Sequence, residues 1–487
     1  MNKILRIITL AIATALIFTV TAAASSYIYD DYGNSNPAPD TYKVEQILTG
    51  SSIGAGELKA PQDIFVSDSN VYLADTENNR VLVLDTDFRL QKEIAVLNNT
   101  AITTFSKPMG IHRDQDGFLY ICDSGNSRVV KIDENQNVIT EYTKPDTQVL
   151  AEDFVYQPYK VSVDSAGGVY VVAYGLYQGL IYYQNDGAFV SFYGSSKVEV
   201  TVAVIAENIW KSLFTKEQRE SLSRTIPTEY SNVFIDEKNF IYTSILQTKS
   251  SVDEARKLNA LGNNVIRYSG FNTYYPKNNY GDIEVEWHRG NQIDNKFVDI
   301  YVDEDGIITL LDQERCRVFE YNEENDLLLT YGGKGDRQGL FLKPTSISKV
   351  GDKLVVVDAE KNSLTVLSPT DYTVQLKDMS RLYSQGKYEK TIEGFGQILR
   401  QNSNLSLAYK SMGKAYLQQG KYEDALDYLK KANDRQGYSD ALKEYRKVFV
   451  RDHIIVLLLG SVVVVLLVWF LLKKFRKWLL YGKDELV

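Results

Sequence analysis

One phrase constrains this chain more than anything else in it. Leu119-Tyr120-Ile121-Cys122-Asp123-Ser124-Gly125-Asn126-Ser127-Arg128-Val129-Val130 reads as an apolar strand, a tight polar turn and a second strand. The device returns over residues 73–81 and 310–318, and in degraded form over 356–364. Aligned copies put Asp75, Asp123, Ala173, Ile245, Asp312 and Asp358 in register. A second landmark lies 14 or 15 residues upstream of each: Pro61, Pro108, Pro158, Tyr230, Phe297 and Pro344. Between landmarks, apolar and polar residues alternate with the period of a strand, where helix pairs would need a 3.6-residue period. Six units of about 45 residues, each of four short strands, predict an all-β six-bladed propeller.

The second unit shows the expected blade, with strands near 110–113, 118–122, 127–132 and 138–142. Asp116-Gly117 and residues 134–137 make its hairpin turns. The last unit lacks an outer strand, and residues 42–48 form a strand without a unit. They are therefore expected to close the ring as the outer strand of blade six. Within a four-stranded meander, the D-to-A and B-to-C connections share one face. The insertions 194–229, 246–263 and 270–296 and the turn 174–179 all fall on that face. The first of them predicts a helix over 202–214 and a second, short one to Arg224.

The two ends read differently. Residues 1–24 carry Lys3 and Arg6, a short apolar run and Ala22-Ala23-Ala24, as a secretory signal peptide does. Residues 25–41, rich in Ser, Asn, Pro and Asp, read as a linker before a propeller spanning 42–370. Residues 376–450 switch to helical periodicity, and Leu382-Tyr383-Ser384-Gln385-Gly386-Lys387-Tyr388 returns 34 residues on as Tyr416-Leu417-Gln418-Gln419-Gly420-Lys421-Tyr422. Residues 453–472 predict a transmembrane helix, followed by a basic tail, 473–487, with Lys473, Lys474, Arg476 and Lys477. A single-pass cell-membrane protein is expected, its N-terminal bulk extracytoplasmic and its C-terminus cytoplasmic.

Composition narrows the chemistry. A net charge of −9 disfavours nucleic acid, which calls for a basic face. Three histidines and two cysteines leave little for a zinc site or a Cys/His nucleophile, and no metal or other cofactor is expected. Cys122 and Cys316 fall three blades apart, too far for a disulfide. The pairs Asp75/Arg80, Asp123/Arg128 and Asp312/Arg317 read as structural turns, because one active site needs no copies in several blades. His112, on an inner strand, reads as a hydrogen-bonded structural residue.

The 34 tyrosines supply the functional lead, because they cluster. Tyr174, Tyr177, Tyr182, Tyr183, Phe192 and Tyr193 fall in blade three; Phe271, Tyr274, Tyr275 and Tyr280 fall in the 270–296 insertion. A tyrosine offers a flat apolar face with a hydroxyl, suited to stacking on sugars or gripping a peptide. Tyr174, Tyr177, Phe271, Tyr274 and Tyr275 are the candidate ligand-binding residues. The competing reading is that these rings pack the insertions onto the propeller.

The Pro…Asp-x-x-x-x-Arg-Val pattern resembles the NHL repeat of six-bladed propellers, over about two-thirds of the chain. Blades three and four depart from it, with Ala173 and Ile245 in place of Asp. The 34-residue recurrence resembles a tetratricopeptide (TPR) unit. Together they resemble bacterial membrane-anchored proteins joining such a propeller to TPR helices. The resemblance implies a face that binds proteins, peptides or saccharides, with TPR helices in protein–protein contact. The alternative it implies is a metal-dependent lactonase or lyase, as in a minority of propellers.

Overall fold

The structure is a computed structural model. It describes residues 26–481 apart from 31–32, 68, 152, 195–228, 247–253, 267–279, 283–285 and 289–290. The signal peptide, the helices expected over 202–224, and Phe271, Tyr274 and Tyr275 lie outside the described residues. The chain divides into two compact units, Met1–Arg381 with Gln401–Asn404, and Leu382–Arg400 with Leu405–Val487.

The first unit is a six-bladed β-propeller. Three strands precede the first blade: β1 (Tyr27–Tyr29), β2 (Ser35–Pro37) and β3 (Tyr42–Thr49). Blade one is β4 (Asp63–Val66), β5 (Asn70–Asp75), β6 (Arg80–Asp85) and β7 (Leu90–Ile94). Blade two is β8 (Pro108–Arg113), β9 (Leu119–Asp123), β10 (Arg128–Ile132) and β11 (Val138–Tyr142). Blade three is β12 (Pro158–Val163), β13 (Val169–Ala173), β14 (Leu180–Tyr183) and β15 (Phe189–Tyr193). Blade four has β16 (Glu229–Ile235), β17 (Ile241–Leu246) and β18 (Ala255–Leu258) among the described residues. After a small hairpin of β19 (Glu286–His288) and β20 (Asn291–Ile293), blade five is β21 (Phe297–Val302), β22 (Ile308–Asp312), β23 (Arg317–Tyr321) and β24 (Leu327–Gly332). Blade six is β25 (Pro344–Val350), β26 (Lys353–Asp358) and β27 (Ser363–Pro369). Its fourth strand is β3, paired antiparallel from Ser363↔Thr49 to Pro369↔Tyr42. The inner strands touch in cyclic order β4, β8, β12, β16, β21, β25 and back to β4.

The apolar core lies between blades, which explains why strand B of each unit reads as a continuous apolar run. Tyr120 and Cys122 of β9 pack toward blade three, while Leu119 and Ile121 pack toward blade one. The B–C turn is a short 3₁₀ turn ended by one left-handed residue, Asn79 (φ 54°) in blade one and Ser127 (φ 55°) in blade two. Cys316 (φ 58°) and Asn362 (φ 51°) hold that position in blades five and six. Two of the four are Asn, which enters this region more readily than most residues with a side chain. Both cysteines are free and buried.

Two expectations need correction. Residues 25–41 are more than a linker: β1 and β2 form a hairpin tied to Thr330 of blade five and to Asp282 of the insertion before it. Three-residue strands held by distant side chains leave no periodic trace in the sequence. The B-to-C insertion of blade four is also shorter than 246–263, because Ala255–Leu258 is a strand paired with Ile241–Ser244. Arg256 and Lys257 inside it hide the strand pattern; Lys257 lies over the rings of Phe240 and Tyr242.

Five helices follow: α1 (Asp371–Ser384), α2 (Tyr388–Gln401), α3 (Ser406–Gln418), α4 (Tyr422–Lys431) and α5 (Arg435–Tyr481). The start of α1 belongs to the propeller unit. There Lys377 bonds Glu320 of blade five at 2.8 Å and the Tyr42 hydroxyl of blade six at 2.9 Å. In the second unit α3 meets α4 at Gly413, where a Cβ would come within 2.6 Å of Leu429. α5 is long and apolar enough to cross a membrane, and its regular geometry breaks once, at His453.

Candidate functional site: the propeller axis and its tyrosine shelf

The landmark residues bring unlike side chains to one place. Two residues after each landmark stand Asp63, Gly110, Lys160, Asn232, Asp299 and Ser346, one on each inner strand. A β-bulge occurs at this point in β8, β12, β16, β21 and β25. Five of the six side chains meet at the axis. Lys160 Nζ lies 2.6 Å from Asp63 Oδ1 and 3.3 Å from Asp299 Oδ1. Ser346 Oγ is 2.8 Å from Asp63 Oδ1 and 2.5 Å from Asp299 Oδ2. Asn232 Nδ2 donates to Asp299, while its own oxygen accepts from the Val233 amide. Backbone amides complete the set: Ile111 donates to Asp63, and Ile300 and Ile347 donate to Asp299. Gly110 is the sixth member because nothing larger fits; a Cβ there would lie 2.6 Å from the Tyr159 carbonyl oxygen.

The electrostatics follow from burial. Burial works against the Lys160 charge, but Asp299 and Asp63 outweigh it and hold its pKa above the ordinary lysine value. Burial raises the Asp299 pKa, Lys160 opposes it and the Asp63 charge adds to it. The result is a closed network centred on an internal ammonium. Its carboxylates already accept Lys160, Ser346 and three backbone amides, and Asn232 turns its amide nitrogen inward. The donor set therefore fits an ammonium and does not fit the divalent ion of a lactonase-type site. Among the described residues, no group of three or more His, Cys, Asp or Glu is placed to hold a metal.

Two residues further along each inner strand is a second layer: Phe65, His112, Ser162, Phe234, Tyr301 and Ser348. Phe65 and His112 lie 4.9 Å apart, and Phe234 and Tyr301 5.4 Å. Burial alone pushes the His112 pKa down to about 4, so it is neutral at physiological pH.

The tyrosine candidates separate. Tyr174 and Tyr177, in the B–C turn of blade three, are 42% and 47% exposed. Between them Leu176 is buried in the core shared with blade two. The Tyr174 ring stacks on Tyr159 with centroids 4.0 Å apart, and Tyr159 is fixed by its hydroxyl bond to the Tyr230 carbonyl at 2.7 Å. Glu229 accepts the Gly175 amide at 2.7 Å and pins the turn. Tyr159 directly precedes Lys160 on β12, and burial raises the Tyr174 pKa while the Lys160 charge opposes it. The other blade-three rings pack: Tyr182 stacks on Tyr170, Tyr183 is buried and bonds the Thr143 carbonyl, and Tyr193 bonds the Asn259 carbonyl. Tyr280 is likewise buried.

The turn pairs also separate. Arg80 Nε lies 2.7 Å from Asp75, and Arg128 Nε 2.9 Å from Asp123. In blade five the expected Asp312/Arg317 pair is replaced, because Arg317 turns to Asp282. Asp282 lies in the 270–296 insertion, which the motif alone does not take into account. The axial residues were missed altogether, although counting two residues on from each landmark finds them.

No protein-family model matches the chain, and no curated protein matches it. Solved structures similar to it include a virginiamycin B lyase from Staphylococcus aureus, at 13% identity over 68% of this chain and 88% of that one, TM-score 0.41. A hydrazine synthase from Kuenenia stuttgartiensis matches at 14% identity over 64% and 96%, TM-score 0.40. A putative gluconolactonase matches at 12% identity over 72% and 98%, TM-score 0.39.

Proposed function

We propose that this chain is a membrane-anchored binding or scaffold protein. Its propeller presents the Tyr174/Tyr177 shelf to a saccharide or protein partner on the extracytoplasmic side, and its TPR-like helices contact a further protein. The carrying observation is that the axial carboxylates are committed to Lys160 while Tyr174 and Tyr177 stay exposed in the blade-three turn. A flat ring backed by a second ring is a stacking surface already in place, so little order is lost on binding. The metal-dependent lactonase or lyase reading loses its donors to the lysine. The basic residues after the apolar part of α5 support a cytoplasmic C-terminus.

Glycan-array and pull-down binding of the full-length, detergent-solubilised protein tests this reading. The double variant Tyr174→Ala/Tyr177→Ala is expected to lose at least ten-fold in affinity for any retained ligand. Unchanged binding by that variant would overturn the site.

A further inference from the structure

In blades one and two the turn aspartate is neutralised in the same way. Asp75 Oδ2 takes Arg80 Nε at 2.7 Å and Asn78 Nδ2 at 2.8 Å. Asp123 Oδ2 takes Arg128 Nε at 2.9 Å and Asn126 Nδ2 at 2.8 Å. Blade five keeps the backbone register, with Arg317 opposite Asp312 as Arg80 is opposite Asp75. Its asparagine position is Arg315. Both arginines meet Asp282 instead, Arg315 Nη1 at 3.1 Å and Arg317 through Nη1. Asp312 Oδ1 accepts the amides of Lys296, Glu314 and Arg315, and its buried Oδ2 has no hydrogen-bond partner.

The N-terminal hairpin holds Asp282 in place. Tyr27 and Tyr29 both donate hydroxyls to its Oδ1, Tyr29 at 2.8 Å. The Arg317 guanidinium lies over the Tyr27 ring, 5.3 Å from its centroid. The hairpin backbone is tied through Thr330, whose hydroxyl takes the Tyr27 amide at 3.1 Å and gives to its carbonyl at 2.6 Å.

We propose that this hairpin is a pH-sensitive strap: Arg317 exchanges between Asp282, with the hairpin docked, and Asp312, with the hairpin released. The unchanged register means that a rotamer change of Arg317 suffices. Docking leaves Asp312 buried without its arginine, and burial raises its pKa to about 6, with Asp282 adding and the three amides opposing. The groups facing Asp312 are Glu254, Asp282, Glu314, Arg315, Cys316 and Lys296. Burial, then Asp312, raises Glu254 to about 8, so it stays neutral until the strap has released. The docked state therefore binds a proton on Asp312 that the released state does not. Docking is favoured below about pH 6 and weakens as pH rises. At the acid end the sign reverses. Burial raises the Asp282 pKa, but Arg317, the two tyrosines and Arg315 outweigh it and lower it, so protonating Asp282 also loosens the strap.

Amide hydrogen exchange of residues 26–41 in the full-length, detergent-solubilised protein tests this, compared at pH 5 and pH 8 after correction for intrinsic rates. Opening is expected to rise about ten-fold between the two in the wild type. Asp312→Asn is expected to stay protected at both. Tyr27→Phe/Tyr29→Phe is expected to exchange rapidly at both. Equal protection of the wild type at the two pH values would overturn the proposal without any variant. So would an Asp312→Asn profile that follows the wild type.

Discussion

Asp63 and Asp75 belong to the same blade, are both buried, and are satisfied by different routes. Asp75 finds its partners within its own unit: Arg80 and Asn78 of the turn and the upstream Lys59 amide. Asp63 reaches across the axis to Lys160 of blade three and Ser346 of blade six, and takes the Ile111 amide of blade two. The first arrangement is repeated in blade two, turn for turn. The second exists once, and each blade contributes a different residue to it. Repetition marks what builds the scaffold, and divergence at an equivalent position marks what the assembled scaffold holds. A local turn can lose a member and repair itself, whereas the axis cannot, because its two carboxylates share one ammonium.

That contrast is broken most sharply by Lys160→Met. Two buried carboxylates lose their counter-charge, and unfolding of the full-length protein in detergent is expected to show a loss of about 3–5 kcal/mol. The next effect lies between the two classes, at Asp312. Its pKa of about 6 lies above the ordinary carboxylate value, so the folded state holds an extra proton. That contribution is full below about pH 4 and is lost as pH rises through about 6, up to about 2–3 kcal/mol. Asp312→Asn should flatten the stability profile between pH 5 and 8; a profile as steep as the wild type would remove this aspartate from the account. Arg80→Met samples a local turn. Asp75 keeps Asn78 and the Lys59 amide, so the expected cost is about 1–2 kcal/mol. A loss as large as that of Lys160→Met would erase the distinction. Tyr174→Ala is the smallest, within about 1 kcal/mol, because the ring is half exposed and gives up mainly its stack on Tyr159. A larger loss would move Tyr174 from the binding shelf to the packing.

The six-bladed ring was legible because its strongest signal, the B–C phrase, is also the most local one. Asp123 and Arg128 are five positions apart and meet in one turn. The strand Ala255–Leu258 was not legible, because two basic residues occupy half of it. The hairpin Tyr27–Pro37 left no signal, because its partners, Asp282 and Thr330, lie some 250–300 residues away in sequence. The axial network is intermediate. Each member sits at a readable position, but Asp, Gly, Lys, Asn, Asp and Ser look unrelated until six inner strands are placed around one axis. Of the site candidates, Tyr174 and Tyr177 stood out because tyrosines cluster in blade three. Tyr182 and Tyr183 look the same in sequence, and only strand register separates them.

The central claim is that the axial network is a closed assembly built around Lys160. The most direct measurement is the unfolding free energy of the full-length protein in detergent for the wild type, Lys160→Met, and the triple variant Asp63→Asn/Lys160→Met/Asp299→Asn. The account predicts a large loss in the single variant, most of which the triple variant recovers by removing the stranded charges. A Lys160→Met protein as stable as the wild type, or a triple variant no better than the single one, would contradict it.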